Sequence, residues 1–308
     1  GAVAQASAIY SYAMSRLMLL GCLMSGLGLG QEAPPLPARL PRHTLIVGGV
    51  AFAEGPNFDR QGNFYFTNYL RRGTIGRMTP DGTLGVWFTL DRGAPNGMRI
   101  DPEGRVLVAD QDGGRLLRVS ADGKRQELLA ESYQGKPLNG PNDVVLDRKG
   151  NIYFTDPKGS SVKNPVGAIY RLGTDGRLTR LIGGLAFPNG LAVSPDQKSL
   201  FYVESYTARL SAFDFAPDGS AANQRAVAQF LPHPLDGIAF DEHGRLWITH
   251  YTGRSIEVVS QAGELLRSYE VDGERVSNLC FHKGKLYVTL TGSQCVYMYD
   301  IGLNGLEY

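Results

Sequence analysis

Short apolar runs, each bounded by turn residues, recur along this chain at a nearly constant interval. The clearest copy is Leu138 to Pro157, LNGPNDVVLDRKGNIYFTDP: an asparagine, an apolar run, an Asp-x-x-Gly turn, a second apolar run and an aspartate. Val, Ile, Tyr and Phe fill the runs, which predicts two strands of a tight antiparallel hairpin. The pattern returns over 54–68, 96–110, 142–156, 189–204, 236–250 and 278–290. Its first polar residue is in turn Glu54, Asn96, Asn142, Asn189, Asp236 and Asn278. Four copies carry an aspartate and a glycine three apart: Asp59/Gly62, Asp101/Gly104, Asp147/Gly150 and Asp241/Gly244. An aspartate opening a turn that needs a permissive residue three places on is hairpin chemistry, so these four read as structural.

Each copy continues into a third apolar run, such as Ala168-Ile-Tyr-Arg-Leu172. In all but the last copy a turn such as Thr174-Asp-Gly176 and a fourth run follow. Four antiparallel strands per repeat of about 40–50 residues is the signature of a β-propeller blade. The fold class is therefore all-β, a six-bladed propeller. The last repeat stops after its third strand, near Ile301, and Thr44-Leu-Ile-Val-Gly-Gly49 precedes the first full repeat. That N-terminal segment is expected to supply the missing strand, closing the ring and removing exposed sheet edges. The propeller is thus expected over 43–303, with a short tail at 304–308.

Residues 1–42 differ in kind. Arg16 precedes the short apolar run Leu17–Gly30, which resembles a secretory signal starting at Met14 with a small-x-small cut near Gly28–Gly30. With such a leader the protein would be extracytoplasmic; without it, cytoplasmic. The run is too short and glycine-rich for a good membrane span. Pro34-Pro-Leu-Pro37 and Pro41 read as a stiff linker.

Composition narrows the function. Of the 308 residues, 43% are hydrophobic and 20% charged, with a formal net charge of +1 and no basic block. A nucleic-acid partner lacks its usual electrostatic footprint. The three cysteines, Cys22, Cys280 and Cys295, form no CxxC and cannot build a disulfide framework. No GxSxG elbow, P-loop or HExxH is present, so serine-hydrolase, nucleotide and zincin chemistry lose their best signals.

In a propeller the first strand of each blade lines the central channel, so one fixed point of every first strand falls on a ring. Here that ring is Glu54, Asn96, Asn142, Asn189, Asp236 and Asn278, two carboxylates among amides with no cation. Two carboxylates in a partly desolvated channel repel unless something neutralises them, and a divalent cation is the simple answer. Oxygen donors without His or Cys suit calcium or magnesium and argue against structural zinc. A second ring is expected at the ends of the second strands: Asn68, Asp110, Asp156, Glu204 and His250. Asp156 could meet substrate or pair with a neighbouring blade, and His250 could be a proton shuttle or a packing residue.

These residues also resemble the senescence marker protein/gluconolactonase/luciferin-regenerating-enzyme-like family of six-bladed propellers over about 43–303. The resemblance rests on Glu54-Gly-Pro56, Leu138-Asn-Gly-Pro-Asn-Asp143, Phe154-Thr-Asp-Pro157, Pro188-Asn-Gly190 and Leu235-Asp-Gly237 in that order and spacing. It implies an axial divalent metal, usually calcium, with Mg²⁺, Mn²⁺ or Zn²⁺ as alternatives. It implies Glu54, Asn189 and Asp236 as metal ligands and Asn142 as a fourth ligand or a substrate-positioning residue. Asn96 and Asp156 join Asn142 as candidate substrate contacts. Some animal members hold a sugar lactone with an arginine two residues before the Asn142 equivalent, where this chain has Gly140.

The reading that follows is a metal-dependent hydrolase opening a small-molecule lactone or ester, with Asp236 as the base for water and His250 or Asp156 as substitutes. The rivals are a phosphoester hydrolase using the same site and a non-enzymatic binding platform with a structural ion. The sequence carries no signal for oligomeric state.

Overall fold

Each repeated run of apolar residues is a strand in the computed structural model, which describes residues 33–306. Among the described residues there is no helix. The strands form six four-stranded antiparallel sheets over 50–89, 95–130, 144–185, 188–229, 235–270 and 276–300, blades 1 to 6. A two-stranded ribbon, Ser132–Tyr133 with Lys136–Pro137, sits in the connection between blades 2 and 3. The innermost strands are Val50–Phe58, Pro95–Ile100, Val144–Leu146, Pro188–Val193, Leu235–Phe240 and Val276–His282. Each lies against the innermost strands of both neighbours, the sixth against the first, so the blades close into a propeller around a channel.

The ring is fastened as the sequence predicts. Thr44–Gly48 completes blade 6 by pairing antiparallel with Cys295–Asp300, Thr44 opposite Met298 and Gly48 opposite Cys295. Thr44–Gly48 is the outermost strand of that sheet, so a strand from one end of the chain covers the outer edge of a strand from the other. The Pro-rich segment before it is not detached: Leu36 and Leu40 pack on the apolar core of blades 5 and 6, and Tyr269 donates its hydroxyl hydrogen to the Pro37 carbonyl at 2.8 Å. At the other end, Leu303 is buried and the Leu306 amide donates to the Phe240 carbonyl at 3.2 Å, so the tail fastens onto blade 5. The candidate leader at 14–30 lies outside the described residues. Cys280 and Cys295 are free thiols.

The apolar core lies between blades, because each sheet turns one face to each neighbour. Trp247 is fully buried in such an interface, ring-stacked on Tyr269 at 5.5 Å and packed with Leu279 and Val288 of blade 6. The Asp-x-x-Gly aspartates are structural, as their spacing implies. Asp241 accepts the backbone N–H groups of His243 and Arg245 on one oxygen, and Arg245 Nε and Trp247 Nε1 on the other. Asp59, Asp101 and Asp147 accept the corresponding backbone N–H groups in their own blades. These turns stand at one face of the ring, the rear. The opposite face, the front, carries the loops that leave each second strand and those that enter each inner strand.

Candidate active site

Each of the ladder residues predicted to form a ring sits at an irregularity in its inner strand. Register with the second strand shifts between Pro95 and Met98, Pro188 and Leu191, Leu235 and Ile238, Val276 and Asn278, and on both sides of Glu54. In blade 3 the strand proper begins only at Val144, just past Asn142 and Asp143. A bulge takes a side chain out of the regular in-and-out alternation. Here it brings polar residues together at the front end of the channel.

The residue after each ladder position decides how closely the blades approach there. It is glycine at 55, 97, 190 and 237. A Cβ on Gly97 would stand 2.3 Å from Asp143 Oδ1, and one on Gly237 2.2 Å from Asn278 Oδ1. One on Gly190 would stand 2.5 Å from the Asp236 carbonyl oxygen. The glycines therefore let each ladder residue lie directly over the backbone of the blade before it, and Gly97 N–H donates to the Asn142 carbonyl at 2.7 Å.

Three carboxylates act on one another in this space. Glu54, 2% exposed, accepts the Asn278 amide at 2.9 Å and the Gly55 N–H at 2.8 Å, both on Oε2. Burial, then the charge of Asp143, raises its carboxyl to about 8. Asp236 is only partly buried and takes a hydrogen bond from Asn189, yet burial and the charges of Glu54 and Asp143 hold it well above the ordinary range. Asp143, 8% exposed, accepts the Val144 N–H at 2.8 Å, and burial raises it to about 6. Arg99 faces Asp143 from below, its Nε buried without a hydrogen bond. Beneath the carboxylates a cavity of about 950 Å³ opens to the rear, lined by Asp143, Asn278, Arg99 and Cys280 among others.

The amides complete the ring. Asn96 donates to Gln111 Oε1 at 3.2 Å, and Asn189 donates to Ser205 Oγ at 3.1 Å. Asn142 is 5% exposed, and its backbone N–H donates to the Thr155 carbonyl. Among the described residues, no three His, Cys, Asp or Glu side chains form a metal-holding group by themselves. Any cation at this ring has to draw on the amide oxygens as well.

The second ring stands elsewhere and is occupied by backbone. Asp156 accepts the Asn139 N–H at 2.9 Å and the Gly140 N–H at 2.6 Å, one on each oxygen, which shapes the loop leading to Asn142. Asp110 accepts Ala94 N–H and Glu204 accepts Ala186 N–H in the same manner, each ahead of its own ladder residue. His250 turns away from the carboxylates. Its Nε2 meets the carbonyls of Leu231 and His233 at 3.2 and 3.0 Å, and its Nδ1 lies 3.7 Å from Glu257. It lines a separate cavity of about 390 Å³ that no ladder residue touches.

Asp143 is the member of the group that the repeat pattern did not single out. The signal was present: it occupies the position where four other repeats have glycine, so a carboxylate there breaks the pattern.

Comparison with known proteins agrees with this fold. Residues 52–292 match the family described as the SMP-30/Gluconolactonase/LRE-like region. A gluconolactonase of Zymomonas mobilis is 27% identical over 268 residues, covering 77% of this chain and 75% of its own length. Diisopropyl-fluorophosphatase of Loligo vulgaris is 28% identical over 305 residues, covering 88% of this chain and 95% of its own. The solved structure of a gluconolactonase from Xanthomonas campestris superposes with a TM-score of 0.74 at 28% identity, covering 86% of this chain and 91% of that one.

Proposed function

This chain belongs to the SMP-30/Gluconolactonase/LRE-like family, and we propose that it is a hydrolase opening lactones at the front mouth of its channel with one divalent cation. The observation that carries this reading is the grouping of Glu54, Asp143 and Asp236, buried or partly buried, within mutual electrostatic reach among neutral asparagines. Three such carboxylates destabilise one another unless protons or a cation neutralise them. The donor set fits a hard cation, calcium first. Glu54, Asn189 and Asp236 would hold it, with Asn142 as the fourth ligand. When bound, it supplies a Lewis acid for the lactone carbonyl.

The chain's own residues do the rest. Asp236, the most open of the three carboxylates, accepts the proton of the attacking water. Glu54 is fixed from two sides by Asn278 and Gly55, so it holds position rather than moving protons. Asn96 presents its amide to the substrate, and Asp156 keeps the loop carrying Asn142 in place through Asn139 and Gly140. Relatives named gluconolactonase and lactonase, matched over 75% and 80% of their own length, support the substrate class.

The test is hydrolysis of γ- and δ-lactones after chelation and again after adding back calcium, magnesium, manganese or zinc. Turnover should disappear with the chelator and return with one metal. A protein that melts higher with calcium but turns over no ester would instead be a binding platform. The fluorophosphatase relative, which matches nearly its whole length, favours phosphofluoridates as the second substrate class to assay at the same site.

Proton linkage gives an independent check. A carboxyl raised by folding stabilises the fold at low pH and loses that contribution as pH rises through its folded value. Metal-free protein should therefore lose stability between about pH 4.5 and 8, the window of Glu54. Calcium binding near pH 7 should then expel protons, read by calorimetry as a binding enthalpy that changes with the ionisation enthalpy of the buffer. An enthalpy independent of buffer would mean that the carboxylates are already ionised without metal.

A further inference from the structure

At the end of the blade 1 second strand and one residue past each of the others there is a third circle of side chains: Tyr69, Gln111, Pro157, Ser205, Tyr251 and Thr291. Two of them touch ladder residues of their own blades, Gln111 on Asn96 at 3.2 Å and Ser205 on Asn189 at 3.1 Å. In blade 5, the blade of Asp236, the same position holds Tyr251, which lies within electrostatic reach of Asp236 and Glu54. Its backbone is pinned on both sides of the site. Tyr251 N–H donates to the Pro234 carbonyl, and Val276 N–H donates to the Tyr251 carbonyl. Pro234 and Val276 each stand two residues ahead of a ladder residue, Asp236 and Asn278. The phenol oxygen lies 2.8 Å from Thr291 Oγ1 in blade 6, at the equivalent position of the next blade.

We propose that Tyr251 is the proton donor to the departing ring oxygen in lactone opening, with Thr291 as the residue that positions its hydroxyl. The inference rests on the lactonase reading above and adds the group that reading lacks. Water adds to the carbonyl carbon and its proton goes to Asp236. The ring C–O bond then breaks, its electron pair stays on the ring oxygen, and that oxygen takes the Tyr251 proton. The phenolate recovers a proton from protonated Asp236 or from water, and the product acid ionises, so one proton per turnover reaches solvent. An alkoxide leaving group needs this proton, because it is otherwise expelled too slowly. A phenol keeps its proton at neutral pH, so it stands in the donor form. His250, the neighbouring residue in sequence, is committed to the Leu231 and His233 carbonyls and Glu257.

The experiment compares wild type and Tyr251→Phe, with metal present, on δ-valerolactone, whose leaving group is an alkoxide, and on dihydrocoumarin, whose leaving group is a phenoxide that needs no acid. The expected result is a fall in kcat of about a hundredfold on the alkyl lactone with KM little changed, and a change within about threefold on the aryl lactone. Thr291→Val should show the same split at smaller size, since it keeps the phenol and frees its orientation. Equal losses on both substrates would make Tyr251 a packing residue, and no loss on either would leave the donor role to protonated Asp236; each overturns the assignment. Wild-type protein inert on both lactones would overturn the lactonase reading and this inference together.

Discussion

Asp236→Asn should lower kcat on any lactone substrate by about a thousandfold, measured at metal concentrations that saturate the variant. The amide keeps the shape of the side chain and an oxygen for the cation, but it cannot accept the proton of water. The same substitution should raise the melting temperature of the metal-free protein at pH 7, because it removes one of three carboxylates held above their ordinary range by burial and mutual charge. The two readouts move in opposite directions, so a general loss of fold cannot imitate the result. Full turnover in Asp236→Asn would transfer the base role to Asp143, which shares the same group of charges.

Gly190→Ala is expected to damage stability and activity together. Its Cβ would meet the Asp236 carbonyl oxygen at 2.5 Å, the Ile238 nitrogen at 2.7 Å and the Gly237 Cα at 2.9 Å, all of them backbone of blade 5. No side chain can rotate aside to admit it, so blades 4 and 5 must separate. Overpacking of this kind costs about 3 kcal/mol. The displaced backbone carries Asp236 itself, so activity should fall together with the urea midpoint. Gly82→Ala is the contrasting case for crowding, since a Cβ there meets nothing within 4 Å. Its cost should be confined to the strain of a positive φ of 88°. A Gly190→Ala protein with wild-type stability and turnover would mean that the inner strands have slack the packing does not suggest.

The fold was legible almost completely because it is local and repeated. A strand pair closed by a tight turn, Asp-x-x-Gly in four of the six copies, is written within about fifteen residues, and the same error six times over is improbable, so blade number and the closing strand Thr44–Gly48 could be read from spacing alone. The carboxylate and amide ring was legible for the same reason. What hid Asp143 was the assumption that one residue per inner strand faces the axis. The irregularity at the ladder positions, and the late start of the blade 3 strand at Val144, let two successive residues take part there.

The division between sequence and tertiary structure follows the range of the interactions. Turn chemistry, strand alternation and the recurrence of Glu54, Asn96, Asn142, Asn189, Asp236 and Asn278 depend on residues near one another in the chain, and the sequence by itself determined them. Whether His250 or Tyr251 stands nearer the carboxylates could not be read there, since one ends a strand and the other directly follows it. Only tertiary contacts separate the two: the Leu231 and His233 carbonyls with Glu257 hold the imidazole away, and the phenol meets Thr291 of the next blade. The raised carboxyls of Glu54, Asp143 and Asp236 have the same origin, because burial desolvates all three, and charge from the other blades adds to the effect on Glu54 and Asp236, only once the ring has closed.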